Sequence, residues 1–127
     1  MTDDRRRMLT EEVLGECWHE WVHITPEGRD EYYDYNICKK CKEMWSGLNY
    51  KNNRTFTTWQ DMGDLKKKIV EMGEWDGFWM YAATEFKEVQ HKAGKVVWRK
   101  SEMSNWLMNP IRFPELVVGW IKERGRG

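Results

Sequence analysis

Three cysteines and a nearby histidine, spaced C-x-H and C-x-x-C, constrain this chain more than any other feature. Cys17 and His19 are two residues apart, so on an extended segment both side chains point to one side. Cys38 and Cys41 have the gap whose tight turn lets two thiolates share one ion. An odd cysteine count is poor arithmetic for a disulfide framework. A redox C-x-x-C pair wants a strand before it and a helix after it, and this pair instead follows a Tyr/Asp-rich loop. The pattern therefore predicts a Cys3His site for structural zinc, with ligands Cys17, His19, Cys38 and Cys41 and no open coordination position. Lys39, Lys40 and Lys42 favour the thiolate forms. His23 has the same parity as His19 and is a rival fourth ligand. In the competing reading Cys17 is a small buried hydrophobe and Cys38 and Cys41 are free thiols.

The 127 residues fit a single domain over 1–127. Lys plus Arg number 21 and Asp plus Glu 21, and zero net charge argues against a coat for duplex DNA, which needs a basic surplus. No apolar run reaches the roughly 18 residues of a membrane span. The start, MTDDRRRMLTEE, has no apolar stretch of the secretory kind. Nine Trp, five Tyr and four Phe beside 33% charged residues predict a folded chain despite its polarity.

Local patterns predict a helix over Thr2 to Leu14, capped by Thr2, with Leu9 and Val13 buried and Gly15 as its stop. Alternation over Cys17 to His23 predicts a short strand inside a zinc-knuckle-like segment at 16–45. Thr25 to Tyr35 predicts an acidic loop or hairpin tip, and Gly47 to Asn53 a polar connection. A helix is predicted over Thr58 to Met72, with Trp59, Met62, Leu65, Ile69 and Met72 as its apolar stripe. Phe78, Met80, Ala82 and Phe86 share one parity, and Trp79, Tyr81 and Ala83 the other. Residues 76–90 therefore predict a strand, returning through the turn at 91–95 over Val96 to Lys100. Pro114 to Arg124 predicts a closing helix with Leu116, Val117, Trp120 and Ile121 inward. The expected class is α+β: a small antiparallel hairpin sheet packed with helices, αβα sandwich-like, over a 56–124 core with the metal segment as an insert.

Gly15-Glu16-Cys17-Trp18-His19-Glu20-Trp21, then Cys38-Lys39-Lys40-Cys41, then Phe56-Thr57-Thr58-Trp59, resembles the phage ABA sandwich family of small tailed-phage proteins. Members show a G-x-C-x-H-E-W stretch, a C-x-x-C pair, an amphipathic helix, a hairpin and a closing helix, in that order. The chain departs in having Lys42 where members often have Gly, and in Phe113-Pro114-Glu115-Leu116 opening the last helix. The resemblance implies the same four metal ligands. It also implies a phage accessory protein in the cytoplasm of an infected bacterial host, and not an enzyme.

Catalysis finds no constellation. His91 sits in a basic turn, no serine has a His partner, and there is no phosphate-binding glycine loop. In a counter-defence setting, the favoured expectation is a protein that sequesters a small nucleotide-like immune signal. Its ligand residues would be Trp75, Trp79, Tyr81, Lys95, Trp98, Arg99, Lys100 and Trp106, gathered around the hairpin. An open hairpin face would also favour a homo-oligomer. The alternatives are a zinc-containing module that inhibits a host defence protein, or one that binds single-stranded nucleic acid.

Overall fold

The computed structural model describes residues 1–25, 34–46 and 52–125. Among these, five α-helices and a three-stranded antiparallel sheet make an α+β protein, as the sequence leads one to expect. Most of the acidic loop and of the polar connection lies outside the described residues. In order come α1 (Asp3–Met8), which continues as a π-helical turn over Leu9–Val13, then β1 (Trp21–Ile24), β2 (Tyr35–Cys38) and β3 (Met44–Ser46). The helices α2 (Trp59–Glu71), α3 (Trp75–Lys92), α4 (Lys100–Leu107) and α5 (Arg112–Arg124) follow. No helix among the described residues is long and apolar enough to cross a membrane.

The first helix forms for the expected reasons. The Thr2 hydroxyl accepts from the Arg5 amide at 3.4 Å, and Asp3 and Asp4 occupy the positive first turn. The helix then widens: the Leu14 amide donates five residues back to the Leu9 carbonyl at 3.1 Å. Leu9 and Val13 are buried in the helical core, and Gly15, at φ +66°, turns the chain out.

The sheet pairs Trp21 with Cys38 and Ile24 with Tyr35 across β1 and β2, and Ile37 with Met44 across β2 and β3. The predicted strand at 17–23 is thus shifted. Among the described residues Cys17 to Glu20 belong to no strand, and the β1–β2 register starts at Trp21.

The larger correction concerns 75–100. There is no hairpin there: residues 75–92 are one helix, 93–99 a connection, and α4 follows. Phe78, Ala82 and Phe86 are all fully buried. A spacing of four satisfies a strand's period of two and a helix's period of 3.6 alike. Met80 separates the two: on a strand it would face inward with Phe78, whereas on α3 it is 71% exposed. Val96 and Val97, expected in the returning strand, are likewise exposed. The case for a homo-oligomer built on an open hairpin face loses its premise.

On α2, Thr58 caps as predicted, its hydroxyl accepting from the Asp61 amide at 3.1 Å. Leu65 and Ile69 are buried, but Trp59 is 64% exposed and Met72 also lies outside. The inward row runs instead through Asp61, Leu65 and Ile69, because Arg54 reaches the Asp61 carboxylate at 3.2 Å and makes its burial tolerable. In α5, Phe113, Leu116, Val117, Val118 and Trp120 complete the core against Phe78 and Leu65, with the Asn109 side chain accepting from the Ile111 and Arg112 amides at its start.

Phe78 and Met80 give a direct check of the α3 assignment. Phe78→Ala should cost about 3–5 kcal/mol in urea unfolding, as buried aromatic truncations do. Met80→Ala should change stability by less than about 0.5 kcal/mol. Equal, large losses at both positions would restore the strand.

Candidate metal centre

Cys17 and His19 approach the sheet on the extended lead into β1, while Cys38 ends β2 and Cys41 closes the turn beyond it. The ladder persists past the strand ends. The Lys39 amide donates to the Glu20 carbonyl at 2.9 Å and the Cys38 amide to the Glu43 carbonyl at 3.0 Å. The turn closes with the Lys42 amide on the Cys38 carbonyl at 3.0 Å, and Lys42 itself takes φ +66°.

This geometry brings the four predicted ligands together. The ligand atoms of Cys17, His19, Cys38 and Cys41 all lie within 4.8 Å of one another, close enough to hold one metal ion. The Cys17 and Cys38 sulfurs are 3.8 Å apart, and the Cys41 sulfur is 3.5 Å from His19 Nδ1. His23, the rival ligand, lies one strand step beyond Trp21 and is engaged elsewhere. Its Nδ1 is 3.2 Å from Asn36 Oδ1 and its Nε2 3.3 Å from Asp34 Oδ2.

The surroundings orient His19. Its ring stacks on Trp21 at 4.9 Å between centroids, and its Nε2 lies 3.5 Å from the Glu43 carboxylate, which leaves Nδ1 facing the sulfurs. Asn53 grips its backbone at two points. The His19 amide donates to Asn53 Oδ1 at 2.8 Å, and Asn53 Nδ2 donates to the His19 carbonyl at 3.0 Å. Neighbouring Arg54 donates to Glu16 at 2.8 Å and to Asp64 at 2.6 Å, tying the ligand segment to α2. Neither Asn53 nor Arg54 stands out in the sequence, because a single polar residue in a polar connection carries no spacing signal.

Crowding divides the thiols. Burial pushes Cys38 up, but the amides of Cys41, Glu20 and Lys40 and the His19 ring more than offset it and bring it down to about 6. Burial, followed by the neighbouring Cys41 and Cys38 sulfurs, pushes Cys17 up to about 12. A divalent cation resolves this conflict, since it stabilises all three thiolates at once.

The eight residues expected to bind a small ligand do not share one face. Trp75 and Trp79 sit at the start of α3, where Trp75 stacks on Phe113 at 6.3 Å. Trp98 and Trp106 pack on Phe86 at 5.5 and 5.4 Å. Phe86 is two helical turns from Phe78, about 12 Å along the axis. Tyr81 points toward α5, where its hydroxyl lies 2.3 Å from the place a Cβ on Gly119 would take. Lys95 is ion-paired with Glu102, and Arg99 and Lys100 are exposed at the start of α4.

The left-handed backbone at Lys42 carries an exposed side chain that has no hydrogen bond or ion pair among the described residues. Lys42→Gly should therefore raise the stability of the metal-loaded protein by about 0.5–1 kcal/mol in thermal unfolding, and Lys42→Val should lower it by about 1–2 kcal/mol. A destabilising glycine would contradict the turn geometry.

Comparison of the chain with family profiles, with curated proteins and with solved structures gives no match.

Proposed function

We propose that Cys17, His19, Cys38 and Cys41 hold one structural Zn2+ and that the protein is a zinc-stabilised, non-catalytic binding module. The observation that carries this reading is the pair of ligand separations. Two sulfurs, each about 2.3 Å from a tetrahedral zinc, lie about 3.8 Å apart, and a sulfur and an imidazole nitrogen about 3.6 Å apart. The corresponding separations here are 3.8 Å and 3.5 Å. Thiolates with one imidazole are a zinc set, and four protein ligands leave no position for a substrate.

A nucleotide-like ligand was attractive while the aromatic and basic residues stood on one hairpin. With those residues spread over α3, α4 and the connection between them, the surface beside the candidate metal site favours single-stranded nucleic acid instead. Lys39 and Lys42 are exposed on the knuckle turn without partners among the described residues, and Met44 (58%) and Trp45 (40%) are exposed on β3. Cations beside an aromatic face are what a stacked single strand requires. The Arg5-Arg6-Arg7 cluster, by contrast, is used internally. Arg5 pairs with Glu115 at 2.8 Å, and the Arg6 and Arg7 guanidiniums lie 5.1 and 5.9 Å over the Trp18 ring.

Metal analysis tests the first part. The purified chain should carry one zinc, and a strong chelator should lower the unfolding midpoint, since structural zinc supplies on the order of 10 kcal/mol in small zinc domains. A Cys38→Ser/Cys41→Ser chain that stays fully folded without metal would refute the structural role. The partner is tested by polarisation of a labelled oligo-dT. Binding should weaken steeply with salt, with a slope of about 0.7 per cation engaged. Trp45→Ala should weaken it by about 1–3 kcal/mol, the worth of one stacked base. No binding at low salt would exclude nucleic acid.

A further inference from the structure

The four ligands differ in how far solvent reaches them. Cys38 is fully buried, at the end of the central strand β2. Cys17 is half-buried, and Cys41 is exposed. Cys41 lines a cleft of about 540 Å³ together with Cys17 and His19, with Glu43, Asn53 and Arg54 in its other walls. A small oxidant entering this cleft meets Cys41 first. A zinc-bound thiolate remains a nucleophile, and burial protects Cys38 where it does not protect Cys41.

We infer that Cys41 is an oxidation-sensitive ligand, and that its reaction with a hydroperoxide ejects the metal. This inference rests on the structural-zinc reading above. The Cys41 sulfur attacks one peroxide oxygen: an S–O bond forms, the O–O bond breaks, and a sulfenic acid and hydroxide result. A neighbouring thiolate, Cys17 or Cys38, then attacks that sulfur, forming a disulfide and expelling a second hydroxide. Two thiolates have lost two electrons in total, and one peroxide has been reduced to two hydroxides, which take protons from solvent. Both partner sulfurs belong to the cluster whose ligand atoms lie within 4.8 Å of one another, so the second step needs only local motion. Zinc is left with His19 and one thiolate, too few ligands to retain it.

The test uses the zinc-loaded full chain and hydrogen peroxide, with a chromogenic zinc chelator, a thiol count, and dimedone trapping mapped by mass spectrometry. One zinc per chain should appear as two thiols disappear, and dimedone should mark Cys41 before Cys17 or Cys38. Cys41→His keeps four ligands without the exposed thiolate, and it should release zinc about tenfold more slowly. If that variant does not take up zinc, the dimedone map of the native chain decides. Zinc retained under peroxide, or first labelling at Cys17 or Cys38, overturns the inference and leaves the zinc site standing. A native chain that takes up no zinc at all overturns the structural-zinc reading, and this inference with it.

Discussion

The convergence of Cys17 and His19 with Cys38 and Cys41 is the constraint on which the N-terminal third of the chain depends. The sheet it anchors has strands of four, four and three residues, and β3 is exposed along its whole length. A sheet this small is marginal in water without something else to hold it. Hydrophobic burial does not do so: the apolar core is assembled from the first helix and its π turn, Phe56 and the later helices, and contains no residue of β1, β2 or β3. The ligand cluster occupies the place a core would have. One ion bonded to both ends of the segment would constrain β1, β2 and the knuckle turn together.

The attachment of this cysteine- and histidine-centred module to the helices is correspondingly polar. Arg54 joins Glu16 on the ligand segment to Asp61 and Asp64 on α2, and Glu16 followed by Asp64 holds its guanidinium firmly protonated. Asn53 clamps the His19 backbone as a neighbouring strand would, supplying one donor and one acceptor. Lys40 reaches Glu11 at 2.6 Å, and Trp18 is buried beneath Arg6 and Arg7. These contacts are directional, so they fix the orientation of the ligand segment as well as its attachment. A metal site needs that control, because a tetrahedral set fails when one ligand is rotated away.

The parts of the molecule legible in the sequence are those whose chemistry dictates spacing. C-x-H and C-x-x-C can be read because two ligands of one ion must be near neighbours along the chain. Thr2 and Thr58 can be read because a cap bonds an amide three residues on. The misreading of α3 arose where two periods coincide, since Phe78, Ala82 and Phe86 serve a strand and a helix equally. Length is the signal that separates them. From Trp75 to Lys92 the turn-forming residues Asp76 and Gly77 both lie in the first turn, and the fifteen unbroken residues 78–92 exceed the usual strand of about 3–10. Asn53 and Arg54 were illegible for a different reason. Their partners His19 and Glu16 are 34 and 38 residues away, and no local pattern encodes such a pairing.

The same economy accounts for the uneven shielding of the cluster. Burying four ligands on every side requires surrounding elements, and the surface-to-volume ratio of a small module does not supply them. Cys38, at the end of the central strand β2, is fully buried beside Trp21 of β1. His19 is covered by Trp21 and Glu43. Cys41 lies exposed in the turn between β2 and β3 and lines a cleft together with Asn53 and Arg54. A tight C-x-x-C turn at the end of a short strand necessarily places its second cysteine on the outside. The arrangement by which a metal would organise so small a sheet therefore also leaves one of the four candidate ligands, Cys41, open to solvent.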